Sequence, residues 1–147
     1  MNILFVCTGN TCRSPVAEGI FKFLIQDDDN LKNIKAESAG LMAEIGASAS
    51  VNSVKVCMED YRIDISSHKA RQLTEDIIKI TDLFVCMTMG HAQTLMGFGV
   101  PKNKIYVLDV SDPYGGNISI YRHCCRQIYE KIQNLTELIK RKYPDGV

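Results

Sequence analysis

A short apolar run, Ile3-Leu4-Phe5-Val6, passes without a linker into Cys7-Thr8-Gly9-Asn10-Thr11-Cys12-Arg13-Ser14-Pro15, and an amphipathic segment follows at once. Four consecutive apolar residues rich in strand formers read as a strand buried on both faces, the kind found inside parallel sheets. Ser14 is the expected N-cap of a helix and Pro15 its first residue. Ala17, Ile20, Phe21 and Leu24 then recur at helical spacing until Asp27-Asp28-Asp29-Asn30 closes the segment. Strand, tight loop and helix are the opening of a βαβ unit, which commits the rest of the chain to a layered α/β fold.

The remaining pattern agrees. Ile34 to Ser38, Leu83 to Met87 and Ile105 to Leu108 have strand length and composition. Between them lie a helical pattern with Val54, Met58 and Tyr61 in phase and a second opening at the cap-like Thr74-Glu75-Asp76. The strongest periodicity is the last: Ile118, Tyr121, Cys125, Ile128, Ile132, Leu135 and Ile139 alternate spacings of three and four. Strands alternating with helices predict a parallel sheet covered on both faces, with right-handed crossovers. Ala43 to Ser53 reads as a loop, and Tyr143 to Val147 as a frayed end.

At 147 residues the chain is expected to be one domain, 1–147, with a core large enough to need no staples. Seventeen basic residues balance 17 acidic ones, so no overall field favours nucleic acid or an anionic membrane, and any anion site must be local. No apolar stretch reaches transmembrane length, and the apolar opening is too short for a secretory signal; the expected location is cytoplasmic. The six cysteines, at 7, 12, 57, 86, 124 and 125, lack the paired spacing of a zinc site, and no metal is expected.

The loop after the first strand lies where open parallel sheets bind ligands, at a strand's carboxyl end and a helix N-terminus. Cys-x5-Arg is weak evidence by spacing alone; its placement gives it meaning. Successive N–H groups of Thr8 to Ser14 can turn inward as a nest for a tetrahedral dianion, with Gly9 and Asn10 as the residues that tolerate positive φ. Arg13 adds a planar fork for two phosphate oxygens, and the guanidinium and helix dipole favour a thiolate at Cys7. Ser14 can donate a hydrogen bond to that sulfur. The result is a nucleophile beneath a bound phosphoryl group. A Walker loop is excluded, since its Gly-Lys-Ser/Thr ending is missing.

The nine-residue string resembles the signature of the low-molecular-weight protein tyrosine phosphatase family and, within it, the protein-arginine phosphatase branch. The likeness extends through Ser38-Ala39-Gly40, Ser67-His68, Asp112-Pro113 and the long final helix. It implies a four-stranded parallel sheet flanked by helices, and a cysteine-dependent phosphatase acting through a phosphocysteine intermediate without cofactor. Phosphorylated proteins would be its substrates and inorganic phosphate its product.

Phosphoryl transfer needs an acid to protonate the leaving group. Asp112, in the polar segment after the last predicted strand, is placed for this, although an Asp before Pro is also an ordinary turn former; the resemblance assigns it as the general acid. Thr11 stands where tyrosine-specific relatives carry a larger aliphatic residue, and Gly115-Gly116 replace a second aromatic after Tyr114. Both changes favour a slim guanidinium over a phenol and point to phosphoarginine, with phosphotyrosine the alternative. By the same resemblance His68 is expected to support Asn10. Cys12 is either a resolving thiol for oxidised Cys7 or a small filler. His91 and His123 are expected at the surface, Cys57, Cys86, Cys124 and Cys125 as packing or surface thiols, and the methionines as core filler. Two less favoured readings are a thiol-linked arsenate reductase relaying through Cys86 and a noncatalytic phosphate-binding redox sensor.

Overall fold

The four apolar runs become four parallel strands: β1 (Asn2–Cys7), β2 (Lys35–Gly40), β3 (Leu83–Cys86) and β4 (Ile105–Val107). The computed structural model describes residues 1–147. Spatial order is β2-β1-β3-β4, so the winding direction reverses between β1 and β3. Loops leaving the carboxyl ends of these two strands diverge at such a reversal and open a crevice. The loop after β1 is Cys7 to Cys12.

Alternation along β1 divides the core. Ile3, Phe5 and Cys7 face α1 (Arg13–Ile25), α2 (Val51–Tyr61) and α5 (Ile118–Lys142), whereas Leu4 and Val6 join Phe84 and Cys86 against α3 (Glu75–Ile80) and α4 (Met89–Gly97). Helices therefore cover both faces, as expected. The stripe of α5 is buried at Tyr121, Cys125, Ile128, Ile132, Leu135 and Ile139, each large aliphatic contributing about 1.5–3 kcal/mol by leaving water. Thr74 caps α3 by accepting from the Ile77 N–H. No helix is long and apolar enough to cross a membrane.

Several expectations are corrected. Helix α1 begins at Arg13, not Pro15, and Ser14 is not its cap; Cys12 holds that position with no side-chain cap bond, because the Ser14 hydroxyl is engaged inside the loop. Helix α2 begins inside the expected loop, capped by Ser50, and buries Ser53, Val56 and Cys57. Its Val54–Met58–Tyr61 face lies at the margin, where Tyr61 stacks on Tyr129 at 4.6 Å and Met58 is exposed. The face α2 buries carries no large side chain, and periodicity of large residues misses such a face. The C-terminus is pinned rather than frayed: the Val147 N–H donates to Asn30 O (3.1 Å) and Asn30 Nδ2 to Pro144 O (3.3 Å). Of the methionines, Met87 is fully buried, while Met42, Met58, Met89 and Met96 are exposed.

Gly40, at the end of β2, backs directly onto the loop after β1. A Cβ there would lie 2.6 Å from Thr8 O and 3.0 Å from Asn10 N, both backbone atoms that cannot yield without moving the loop. Gly40→Ala is expected to cost about 1–3 kcal/mol, measured by urea unfolding, and to lower activity with it; an unchanged midpoint would show that the contact is not close-packed.

Candidate active site

Cys7 closes β1 and opens a cavity of about 270 Å³ at the crevice. Six lining residues run from the end of β1 through the loop to the start of α1: Cys7, Thr8, Gly9, Thr11, Cys12 and Arg13. Asp112 and Tyr114 come from the loop after β4. Eight of the eleven residues singled out in the sequence thus meet around one space. The other three, Asn10, Ser14 and His68, lie behind it.

Those three hold the loop. Asn10 is fully buried with φ 56°, a left-handed conformation that Asn tolerates better than most residues. Its backbone N–H points at Cys7 Sγ (3.3 Å), and its carbonyl accepts from His68 Nε2 (2.7 Å). Its side-chain Nδ2 donates to Ser14 Oγ, and its Oδ1 accepts from the Arg71 N–H, both at 2.8 Å. Because Ser14 Oγ already accepts from Asn10, its own proton is free for Cys7 Sγ, 2.8 Å away. Two donors therefore converge on the sulfur, an arrangement that suits a thiolate. Gly9 does not have positive φ, and a Cβ there would meet only Thr11 Oγ1 at 3.7 Å; the left-handed residue is Asn10 alone.

Arg13 is buried. Its Nη1 donates to Val110 O (3.0 Å), and its Nη2 lies 3.6 Å from Asp112 Oδ2, whose side chain is half exposed. The Asp112 Oδ1 accepts from the Tyr114 N–H (3.0 Å), which turns the carboxylate back over the cavity. Gly115 (φ 81°) completes this turn, and a Cβ on Gly116 would press on Ile120 at 2.9 Å, so both glycines have backbone reasons to be there. Tyr114 is largely exposed at the rim.

Sequence reasoning missed two supports. Lys131, on α5, donates through Nζ to Leu108 O (2.8 Å) and Asp109 O (2.7 Å), at the left-handed Asp109 (φ 62°) that redirects the chain toward Asp112. No local pattern marks such a contact, 22 residues distant. His91 is buried, not at the surface, and its Nε2 is 3.0 Å from Thr8 Oγ1. Burial, reinforced by the nearby Arg13 charge, holds its pKa below the ordinary histidine value. The signal available was Thr88 three residues earlier, as in a capping box, although His replaces the usual Glu or Gln.

The other thiols have different surroundings. Cys86 and Cys124 are buried and pushed up to about 12 by desolvation, and Cys125 is raised by its contact with Cys57 and by burial. Cys12 is a free thiol with Sγ 3.7 Å from Tyr121 OH, and burial pushes that phenol up to about 12. No group of three His, Cys, Asp or Glu side chains is placed to hold a metal ion.

Residues 2–145 match the family model described as low molecular weight phosphotyrosine protein phosphatase. The chain belongs to this family. It is 34% identical to a protein-arginine-phosphatase of Bacillus subtilis (strain 168), covering 96% of this chain and 98% of that one. A low molecular weight protein tyrosine phosphatase from T. tengcongensis superposes with TM-score 0.87 at 38% identity, over 93% and 98% of the two chains. A serine mutant of the YwlE arginine phosphatase, phosphorylated on its active-site serine, also superposes with TM-score 0.87, at 34% identity over 95% and 96%. The protein is thus a low-molecular-weight cysteine phosphatase, with relatives named for both arginine and tyrosine.

Asn10→Gly keeps the left-handed backbone accessible while deleting both side-chain bonds. The Arg71 N–H loses its acceptor, and stability should fall by about 1–3 kcal/mol. Thermal unfolding checks this; an unchanged Tm would mean that the network does not hold the loop.

Proposed function

We propose that this phosphatase acts on phosphoarginine in proteins. The observation that carries the reading is Thr11, a short hydroxyl side chain on the wall of a cavity whose one aromatic lining residue is Tyr114, followed in sequence by Gly115 and Gly116. A planar phenol gains most from two apolar walls, whereas a guanidino group asks for a narrow, polar slot. The YwlE and Bacillus subtilis relatives support it by name. The T. tengcongensis relative supports the second reading, phosphotyrosine, with Tyr114 as the stacking partner.

In the proposed mechanism Cys7 Sγ attacks phosphorus, Arg13 and the loop N–H groups take up charge on the three equatorial oxygens, and the P–N bond breaks. Asp112 gives its proton to the departing nitrogen. The resulting carboxylate then takes a proton from water, whose oxygen attacks the phosphocysteine, releasing inorganic phosphate and restoring the Cys7 thiolate. A carboxylate beside Arg13 weakens anion binding electrostatically, so its position makes sense for a proton donor and poor sense for a mere phosphate reader. Cys86, buried and pushed up to about 12, is a poor relay thiol, which disfavours arsenate reduction. Cys12 borders the same cavity as Cys7, so a sulfenic acid on Cys7 would meet it as a resolving thiol, with water as the leaving group.

The ratio of kcat/KM for phosphoarginine and phosphotyrosine peptides tests the specificity. Wild type should favour phosphoarginine, and Thr11→Ile should move the ratio toward phosphotyrosine by about tenfold or more; a wild-type preference for phosphotyrosine, or a ratio that stays put, overturns the arginine reading. For the acid, Asp112→Asn should slow phosphoarginine hydrolysis by about 100-fold or more while affecting an activated aryl phosphate far less, since that leaving group departs without a proton. Equal losses on both substrates would make Asp112 structural.

A further inference from the structure

His91 occupies the third position of α4, buried beside the cavity, and the mechanism above gives it no task. Its hydrogen bonds determine which ring nitrogen carries the proton. The backbone N–H of Thr88 can only donate, and it points at Nδ1 from 3.2 Å; the Thr88 hydroxyl stands 3.1 Å from the same atom. Nδ1 is therefore an acceptor, and in the neutral ring the proton sits on Nε2. Burial and the Arg13 charge both disfavour the imidazolium, while Asp112 pulls weakly the other way. Nε2–H then faces Thr8 Oγ1 at 3.0 Å and donates to it.

This has a consequence for Thr8. A lone pair of its hydroxyl is occupied by His91, so the hydroxyl cannot satisfy itself by donating in that direction. No other protein group within hydrogen-bond distance accepts its proton. Thr8 is exposed and lines the cavity above Cys7, next in sequence to the sulfur. We infer that His91 is a positioning residue: as the Nε2–H tautomer it turns the Thr8 hydroxyl proton into the cavity, where it donates to an oxygen of the bound phosphoryl group. The side-chain donor thereby adds to the loop N–H groups and Arg13, and Thr88 sets the tautomer from the far side of the ring. This inference rests on the cavity being the phosphoryl site, and it adds to that site a donor relayed from β3 through the start of α4.

The competing explanation is that His91 merely completes the cap of α4, where its ring accepts from the Thr88 N–H as Glu or Gln does elsewhere. A double-mutant cycle separates the two. Inorganic phosphate is the probe, as a competitive inhibitor of an aryl phosphate substrate, with Tm recorded for every protein. His91→Phe removes donor and cap together; His91→Gln keeps an acceptor for Thr88 and an amide N–H able to reach toward Thr8; each is made with and without Thr8→Val. Expected is a rise in the phosphate Ki of about tenfold for His91→Phe, substantial recovery in His91→Gln, and less than about a twofold effect of either change once Thr8→Val is present. The same factor in both backgrounds, or an unchanged Ki in His91→Phe, overturns the inference and leaves a cap. Should His91→Phe not fold, His91→Asn replaces it in the cycle, since its amide accepts from Thr88 but is too short to reach Thr8. Failure of phosphate to compete with substrate in wild type would overturn the phosphoryl-site reading itself, whereas competition with an additive cycle overturns only the role of His91.

Discussion

The active-site loop depends on one residue held in an unusual backbone conformation. Asn10 has φ 56°, and each of its polar groups has a partner: N–H to Cys7 Sγ, carbonyl to His68, Nδ2 to Ser14, Oδ1 to the Arg71 N–H. A left-handed turn costs most non-glycine residues about 1–2 kcal/mol. Four hydrogen bonds in a fully buried position offset that cost. The loop that must receive an anion is thus already shaped for one, which is the economy expected of electrostatic catalysis.

A second dependence is on the sheet. The reversal between β1 and β3 places Cys7 at a crevice, and the extra chain after β4 crosses it to deliver Asp112. Lys131 holds the carbonyls of Leu108 and Asp109, and Arg13 holds that of Val110, so three successive peptides are tethered before the chain reaches Asp112. The loop that carries Asp112 is exposed, yet the chain leading to it is tethered. Tyr114 beyond it is exposed at the rim of the cavity.

The six cysteines show how environment sorts one side chain into different chemistries. Burial disfavours the thiolates of Cys86 and Cys124, and the contact with Cys57, together with burial, does so for Cys125. Cys7 is also buried by area, but its sulfur faces two hydrogen-bond donors and a cavity bordered by Arg13.

Much of this was legible in the sequence. The run into Cys7, the order of apolar segments and the stripe of α5 are local or periodic signals, and they establish a parallel α/β fold with an anion loop after the first strand. Cys7 and Arg13 could be named because motif and strand end coincide, whereas Asp112 before Pro113 reads equally as a turn and was singled out by the family resemblance. Of the two tasks read for Ser14, helix cap and donor to the Cys7 sulfur, the structure keeps only the second, because its hydroxyl is held between Asn10 Nδ2 and Cys7 Sγ. The α2 face was missed because small residues carry little periodicity. His91 was placed at the surface, and Gly40 and Lys131 gave no mechanical hint, because their partners lie far away in the chain. By itself the sequence determined the four strands, their order and the long last helix, since these follow from short-range periodicity; helix α4 (Met89–Gly97), with few large apolar residues in phase, was not among the expected elements. Only the tertiary structure decided which groups hold the loop, aim Asp112 and abut Thr8, because those contacts form when strands and helices distant in sequence are packed side by side.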